Sequence, residues 1–520
     1  MRVLFLSTLV AATALAATAG PTSLADAAMR EDKAAVRTLL SQKSDVNATQ
    51  ADGSTALLWA SHADNLEMVQ MLLAAGANPK AGNRYGITPL SEACLNGSAA
   101  VILKLLESGA DANAPHTEGE TPLMTAARTG NPDAVKVLLD HGAQVNPAEA
   151  WRGQTALMWA AAENHAEVVK LLIARGANIN ARSSNFDYSS MKPKAGSISM
   201  NWPRGGFSAL LFAAREGSME SLRLLLDAGA DINLADPDGT TPLLISIINY
   251  HFDIAGLLLE RGADIHPADI RGRTALYAAV DIHKPDVSTR PTTKVGDQLD
   301  SLAVIKMLLA RGANPNSPLL KIIPPRGVLD GLDQAMGPGS TPFLRAARSS
   351  DVEVMKLLLE KGANPKMKTA DDVNAVMLAA GISYRDGKTR GTEAESLEAI
   401  KLLLDLGVDL HAVSTKAGET AMHGAAGRGA DLIVQFLADR GASVNVKDKQ
   451  GRTPLDVTGG TGASVTGIRS PHESTAQLLS KLGGKSGGPL VVEPKPAETV
   501  VDFPKIPRIA SEPKPPASQQ

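Results

Sequence analysis

The chain has 520 residues, of which 44% are hydrophobic and 21% are charged, and its formal net charge is -3. This balance of charges excludes the strongly basic surface of a nucleic-acid-binding protein and the acidic excess of a solvated tail protein. Because Cys94 is the only cysteine, the chain can form neither an intramolecular disulfide bond nor a CxxC metal or redox pair.

The N-terminal segment shows the order of features found in a secretory signal peptide. Arg2 precedes an apolar run over residues 3–17, and Ala17-Thr18-Ala19 offers a small-x-small cleavage site. The run is too short for a membrane span, and no longer apolar run follows it. We therefore predict a signal peptide over residues 1–19, a periplasmic or secreted protein, and no membrane span. A buried first helix is the alternative interpretation of this run.

A short phrase that begins with Thr, Ser or Asn recurs along the chain, with a base spacing of 33 residues. The side chain of its first residue can cap the start of a helix, and Pro at the next position suits the first helical turn. The copies are Thr22-Ser23-Leu24, Thr55-Ala56-Leu57, Thr88-Pro89-Leu90, Thr121-Pro122-Leu123, Thr155-Ala156-Leu157, Ser208-Ala209-Leu210, Thr241-Pro242-Leu243, Thr274-Ala275-Leu276, Thr341-Pro342-Phe343, Asn374-Ala375-Val376, Thr420-Ala421-Met422 and Thr453-Pro454-Leu455.

A second phrase, which begins with Gly and usually continues with Ala, follows the first by a base distance of 21 residues. A Leu-rich stretch of helical periodicity precedes it, and the Gly supplies the left-handed residue that ends a helix. Each period therefore predicts two helices joined by a turn. The glycines of this phrase are Gly76, Gly109, Gly142, Gly176, Gly229, Gly262, Gly312, Gly362, Gly407 and Gly441.

The two phrases together resemble the ankyrin repeat, which has a 33-residue period made of a β-turn and two helices. The resemblance covers residues 20–484 and implies an all-α ankyrin-repeat solenoid of about twelve helix-turn-helix repeats with finger loops. More narrowly, the segments 158–165 and 424–429 resemble exported bacterial ankyrin-repeat proteins, most of which have no assigned function.

Five inserts interrupt the repeats, and a different kind of segment follows them. The predicted inserts lie at residues 183–206, 281–298, 317–337, 383–395 and 459–467. Residues 485–520 are rich in Pro and show no apolar periodicity, so we predict a disordered tail there.

No motif in the sequence points to catalysis, a metal or a cofactor. There is no HExxH, CxxC or GxSxG, and Gly484-Lys485-Ser486 lacks the earlier Gly of a phosphate-binding loop. We therefore expect no enzyme activity and no cofactor. Cys94 is interpreted as a buried packing residue, and Trp59 and Trp159, at equivalent positions in the first helix, as core between repeats.

The ankyrin resemblance implies that a partner contacts the finger turns and the ends of the first helices on the concave face. Arg and aromatic residues, which dominate binding hot spots, fill many of these positions, with Asp52, Glu118, Glu216 and Asp238 among them. An ordinary solvated surface is the alternative. The predicted partner-binding residues are Tyr85, Arg128, Trp151, Arg152, Trp202, Phe207, Arg215, Arg271, Arg273 and Arg348.

The sequence thus predicts a macromolecule-binding scaffold with a protein partner, no nucleic acid, and a monomeric state. We place the binding centre at Trp151, Arg152, Trp202 and Arg215, because the insert at residues 183–206 is rich in aromatic residues. Two other classes stay open. One is an envelope- or glycan-binding structural protein anchored by the tail, and the other is an enzyme or cofactor carrier with its site in the inserts.

We expect cleavage after Ala19 when the full chain is produced in a bacterium with a functional secretion pathway, because the apolar run is followed by small residues. Intact-mass analysis of the exported protein should give an N-terminus near Gly20. Exported protein that retains Met1 would contradict this prediction.

Overall fold

The computed structural model describes residues 23–116, 118–185, 204–284, 296–323, 333, 335–383, 391–459, 463–464, 467–468 and 471–488. The predicted signal peptide, Trp202 and most of the predicted tail lie outside the described residues.

Helices dominate the described residues, and they follow one another in twelve pairs, each of which we call a repeat and number from the N-terminus. The first helices of the repeats are α1 (Leu24–Met29), α3 (Ala56–His62), α5 (Pro89–Leu95), α7 (Pro122–Thr129), α9 (Ala156–Ala162), α11 (Ala209–Glu216), α13 (Pro242–Ile248), α15 (Ala275–His283), α17 (Pro342–Arg348), α19 (Ala375–Ala380), α21 (Ala421–Arg428) and α23 (Pro454–Val457).

The second helix forms the C-terminal half of each repeat and is longer than the first helix. They are α2 (Lys33–Ser41), α4 (Leu66–Ala74), α6 (Ala99–Glu107), α8 (Pro132–Asp140), α10 (Ala166–Ala174), α12 (Met219–Asp227), α14 (Phe252–Glu260), α16 (Ser301–Ala310), α18 (Val352–Glu360), α20 (Glu393–Asp405), α22 (Asp431–Asp439) and α24 (Glu473–Lys481). Two short antiparallel strands, β1 (Ala463–Ser464) and β2 (Gly467–Ile468), lie between the last two helices, with Ala463 opposite Ile468. The all-α repeat fold expected from the resemblance is confirmed.

The first phrase of each repeat starts a helix by the chemistry that its residues suggest. The Thr55 hydroxyl accepts a hydrogen bond from the Leu58 amide at 3.2 Å, and Thr341 does the same for Leu344 at 3.2 Å. In the first repeat the cap is Ser23, one residue later than the phrase places it, and its hydroxyl accepts from the Asp26 amide at 3.0 Å.

The second phrase ends each second helix with a left-handed residue. Gly76 follows α4 with φ +91°, and Gly142 follows α8 with φ +87°. Lys43 takes this conformation in the first repeat with φ +61°, which costs more for a residue with a side chain.

The core is formed where the first helices of neighbouring repeats pack side by side. The Leu of the first phrase is almost fully buried in Leu57, Leu90 and Leu123, and small residues such as Ala126 let the next helix approach. Cys94 is fully buried among them, and burial raises the pKa of its thiol, as fits a packing residue.

The turns before the first helices, which we call tip turns, are in many cases tied to the preceding tip turn by a backbone hydrogen bond. The Arg84 amide donates to the Asp52 carbonyl at 2.8 Å, and the Ala150 amide donates to the Glu118 carbonyl at 2.9 Å. The Ser184 amide then donates to Arg152 at 2.7 Å. The tip turns therefore form a regular row that is fixed to the repeats.

A second row of hydrogen bonds joins the opposite ends of the repeats through asparagine side chains. The Asn113 amide group donates to the Gly142 carbonyl at 3.0 Å and accepts from the Gln144 amide at 2.7 Å. Asn146 donates in the same way to Gly176 at 3.1 Å. This asparagine, four residues after the glycine of the second phrase, is a repeat-joining residue that the sequence reasoning missed.

The chain divides into two units, which we describe separately. The first holds repeats 1–8 and ends at Asn314, and the second holds repeats 9–12. No helix among the described residues is both long and apolar enough to cross a bilayer.

Two of the inserts contribute directly to the first unit. The ends of the insert at residues 183–206 pair with each other, because the Ser183 amide donates to the Phe207 carbonyl at 2.9 Å. In the insert at residues 281–298, the Asp297 carboxylate accepts from the Phe252 amide at 2.7 Å. Asp297 thereby caps α14, whose own N-cap residue forms no side-chain cap.

In the second unit, parts of the predicted insert and tail are ordered on the repeats. Residues 393–395 of the predicted insert 383–395 form the first turn of α20, because Thr392 and Glu395 make a reciprocal cap. Lys485–Gly488 were predicted to start the disordered tail. Their contacts are with the last repeat instead, where Asp456 accepts from the Gly487 amide at 2.8 Å and from the Ser486 hydroxyl at 2.6 Å.

Two glycines with the same backbone conformation have different surroundings, and this gives a test of the packing between repeats. Gly130, with φ +85°, ends α7 beneath the His165 ring, whose Nε2 bonds the Arg128 carbonyl at 3.0 Å. A Cβ at Gly130 would overlap that ring, whereas a Cβ at Gly142, with φ +87°, would meet no atom within 4 Å.

We expect Gly142→Ala to lower the free energy of local opening by about 1 kcal/mol, the cost of a left-handed alanine. Gly130→Ala should lower it by a further ~1–3 kcal/mol because of the overlap. Hydrogen exchange of the amides in repeats 4 and 5 measures both values. Equal effects of the two substitutions would contradict the packing described, and His165→Ala should remove the extra cost of Gly130→Ala.

Candidate functional site

The exposed side of the first helices in the first unit carries a run of polar, aromatic and charged side chains. They lie four or seven residues after the cap, positions that share one side of a helix. We call this surface the first-helix face. Its members are Trp59, His62, Glu92, Leu95, Arg128, Trp159 and Arg215, all of them partly or fully exposed.

The tip turn of repeat 5 displays the most exposed aromatic residue beside this face. The Glu149 carboxylate accepts hydrogen bonds from the amides of Trp151 at 2.6 Å, Arg152 at 2.8 Å and Gln154 at 3.0 Å. These bonds fix the turn while Trp151 stays 61% exposed. The guanidinium of Arg152 lies 4.3 Å from the centre of the indole ring, a cation–π contact that orients both side chains.

The tip turn of repeat 3 repeats this arrangement. Asn83 accepts from the Tyr85 amide at 3.0 Å and from the Ile87 amide at 3.0 Å. Tyr85 is 57% exposed, and the Arg84 guanidinium lies 5.4 Å from the centre of its ring. Two turns, two repeats apart, therefore present the same pair of an exposed ring and an arginine.

A third pair of an arginine and a ring lies on the first-helix face. It is formed by Arg128 of repeat 4 and Trp159 of repeat 5. The Arg128 guanidinium lies 5.6 Å from the centre of the Trp159 ring and forms an ion pair with Glu120 at 3.2 Å. Within the described residues, Trp159 Nε1 and Arg128 Nε are buried and have no hydrogen-bond partner. A buried donor without an acceptor costs about 1–3 kcal/mol, so this spot is under-satisfied in the free chain.

An equivalent tryptophan in the same chain shows why Trp159 lacks an acceptor. Trp59 occupies the same position in repeat 2, and its Nε1 donates to Gln50 Oε1 at 2.7 Å. The residue that corresponds to Gln50 in repeat 5 is Glu149, whose carboxylate already binds the amides of its own turn. The sequence shows that Gln50 is replaced by Glu149, but it does not show that this replacement leaves Trp159 Nε1 without an acceptor.

Trp159 and Trp59 were predicted to fill the core between repeats, and that interpretation is wrong for both. Each is partly exposed on the first-helix face. Arg128, Trp151, Arg152 and Tyr85 lie where the sequence placed them, on this face or on the adjoining tip turns.

Three of the predicted partner-binding residues have structural roles instead. Phe207 is only 6% exposed, because its ring packs on Phe212 with the ring centres 5.4 Å apart. Arg348 is 2% exposed, and its guanidinium pairs with Asp333 at 3.0 Å and donates to the Ser383 carbonyl at 2.9 Å. Both are held inside the fold and are not available to a partner.

Arg273 likewise serves its own turn. Its guanidinium binds the buried Asp269 carboxylate at 3.0 Å, and the same carboxylate accepts from the Arg273 amide at 2.9 Å. Arg215 stays partly exposed but is engaged, since its guanidinium lies between Phe207 and Phe212 and bonds Glu216 at 2.6 Å. Arg271 is partly exposed on the tip turn before α15. Trp202 lies outside the described residues.

The chemistry of the described residues offers no metal centre. No group of three or more His, Cys, Asp or Glu side chains in this part of the chain is arranged to hold an ion. The exposed rings and arginines described above lie on the first-helix face and on the tip turns of repeats 3–5.

Comparison with protein families agrees with the repeat geometry. A model of three ankyrin repeats matches residues 24–116, 109–183, 201–288 and 391–458, and a model of a single ankyrin repeat matches residues 339–370. These matches cover more than half of the chain. The chain belongs to the ankyrin-repeat family. Ankyrin repeats suggest a protein-binding scaffold.

Individual proteins resemble this ankyrin chain only in part. Human ankyrin repeat and SOCS box protein 16 is 29% identical over 29% of this chain and 30% of its own length. The Drosophila melanogaster ankyrin repeat and KH domain-containing protein mask is 34% identical over 20% of this chain and 2% of its own. The mouse B-cell lymphoma 3 protein homolog is 33% identical over 23% of this chain and 24% of its own length. The chain thus spans less than a third of each of these animal proteins.

The two equivalent tryptophans provide a matched test of the unsatisfied donor. Trp59→Phe removes a hydrogen bond and leaves Gln50 Oε1 without its donor, whereas Trp159→Phe removes a donor that has no partner. We expect Trp59→Phe to lower the free energy of local opening by about 1 kcal/mol more than Trp159→Phe does. Hydrogen exchange of repeats 2 and 5 measures the difference. A larger loss for Trp159→Phe would show that its Nε1 is bonded.

Proposed function

We propose that this ankyrin chain is a scaffold that binds a protein partner through the first-helix face and the tip turns of repeats 3–5. The observation that carries the proposal is Trp151, which is 61% exposed on a turn that Glu149 fixes. A large exposed aromatic side chain on a rigid turn loses little conformational entropy on binding. Such anchors supply most of the free energy of association at protein interfaces.

The residues around Trp151 add the polar part of the surface. Among the described residues, neither Arg84 nor Arg152 forms an ion pair, and each guanidinium lies over the ring of its neighbour. A guanidinium held in this way can bind a carboxylate with two parallel hydrogen bonds. The under-satisfied donors of Arg128 and Trp159 add a further preference for an acceptor on the partner.

We further propose that the protein acts in the periplasm or outside the cell, as a monomer. The support for export is the signal-peptide pattern of Arg2, the apolar run and Ala17-Thr18-Ala19. The cleavage experiment at Ala19 tests the location, and light scattering of the exported protein tests the monomeric state.

The binding centre is tested by capture from an envelope fraction with the chain that lacks residues 1–19 as bait. We expect Trp151→Ala to weaken the captured complex about 30-fold, which corresponds to about 2 kcal/mol, with little change in Tm. Titration of the captured protein, once mass spectrometry has identified it, measures this change.

The control for this experiment is Leu432→Ala. Leu432 is 57% exposed on α22 in the second unit, so the substitution removes an exposed apolar side chain from a repeat that is not part of the proposed centre. If Leu432→Ala weakens capture as much as Trp151→Ala does, or if neither has an effect, the proposed centre is wrong.

A further inference from the structure

Four of the charged side chains on the tip turns of repeats 2–5 alternate in sign, while Glu120 on the same row of turns pairs with Arg128 and Glu149 binds the amides of its own turn. We call this set the tip row: Asp52, then Arg84 beside Tyr85, then Glu118, then Arg152 beside Trp151. The side chains of Arg84, Glu118 and Arg152 are exposed, and Asp52 is partly exposed. Negative and positive tips thus follow one another over repeats 2–5.

The packing of the repeats sets the order and the spacing of this row. Backbone hydrogen bonds join the Arg84 turn to the Asp52 turn and the Ala150 turn to the Glu118 turn. The first helices behind the tips pack side by side, and packed helices lie about 8–10 Å apart. A chain in the polyproline II conformation advances about 3.1 Å per residue with three residues per turn, so every third side chain faces the same way and one step along the row corresponds to about three residues of a partner.

Three of the four charged side chains have contacts within their own turns. Hydrogen bonds from the amide and the hydroxyl of Ser54 hold the pKa of Asp52 below its usual value. The two arginines are positioned over Tyr85 and Trp151, which leave flat apolar surfaces beside each positive charge. The row therefore offers four charged side chains and two exposed rings on successive turns.

We propose that the tip row binds a polypeptide segment in the polyproline II conformation whose charged residues alternate in sign at every third position. This inference rests on the proposed function and names the partner's chemistry. A Lys or Arg of the segment faces Asp52 and Glu118, and an Asp or Glu faces Arg84 and Arg152. The apolar parts of the intervening residues lie on Tyr85 and Trp151.

The alternation of sign separates this partner from other classes. A nucleic acid or an acidic polysaccharide presents one negative charge after another, and Asp52 and Glu118 would repel it. A neutral glycan offers no partner for either kind of charge. A polypeptide alone supplies both signs on a chain of matching rise per residue.

The test uses the full chain and synthetic decapeptides of identical composition. One has the pattern Lys-x-x-Glu-x-x-Lys-x-x-Glu, and the other has Lys-x-x-Lys-x-x-Glu-x-x-Glu, with the same Ser and Val residues at x. Each is made in both chain directions, because the row does not fix the direction. Fluorescence anisotropy at low salt should show the alternating peptide in one direction binding at least tenfold more tightly than either blocked peptide.

A charge reversal on the row provides the matched control. Glu118→Arg should weaken the alternating peptide at least tenfold, and replacing the central Lys of that peptide by Glu should restore its affinity. Glu107→Arg makes the same change of charge at the end of α6, on an exposed residue outside the row, and should have little effect.

Three outcomes would overturn the inference: equal affinity for alternating and blocked peptides, an equal effect of Glu118→Arg and Glu107→Arg, or no binding of any peptide. These outcomes leave the proposed function standing if Trp151→Ala still weakens capture of the protein partner. If Trp151→Ala does not weaken capture but the alternating peptide still binds more tightly than the blocked peptides, the proposed function is wrong and the inference about the tip row stands.

Discussion

The structure depends on one constraint, which is that no single pair of helices in this chain can bury its own apolar side. Leu57, Leu90 and Leu123 are almost fully buried only because the first helix of the next repeat covers them. The stability of each repeat is therefore the sum of its own helices and its contacts with two neighbours. Short helices of six to nine residues, marginal in isolation, become stable in the stack.

Because the packed helices supply the stability, the residues of the tip turns are not needed for the core and can form a binding surface. The caps, the left-handed glycines and the row of backbone hydrogen bonds fix where each tip turn lies, whatever side chains it carries. Trp151 and Tyr85 are presented by turns that a neighbouring carboxylate or amide has already ordered. Rigid presentation of this kind reduces the entropy that binding removes, so a small number of side chains can dominate recognition.

The inserts are not passive additions to the repeats. Asp297 caps a helix that lacks a side-chain cap of its own, and Asp333 neutralises an arginine inside the second unit. A charged group buried without a partner is strongly destabilising, so Arg348 and Asp333 are coupled parts of one structural element. Interruptions of the 33-residue rhythm thus became part of the fold around them, which explains why arginines near inserts do not all face solvent.

The sequence by itself determined the number and kind of repeats, because the capping Thr, the Pro after it and the left-handed Gly act through local backbone chemistry. It also identified Trp151, Arg152, Tyr85 and Arg128 as surface residues. The tertiary structure alone decided which other arginines and aromatic residues are available.

Phe207 and Arg348 have the residue types of a binding surface, yet both are buried. Phe207 packs against Phe212 on the helix that follows it, and Arg348 pairs with Asp333 in an insert. Trp59 and Trp159 share one position in the repeat, but only one of them has an acceptor, because Glu149 is occupied by its own turn. Exposure and hydrogen-bond satisfaction are set by neighbours that lie outside the two recurring phrases, such as Gln50 for Trp59 and Asp333 for Arg348. A repeat pattern does not specify those neighbours.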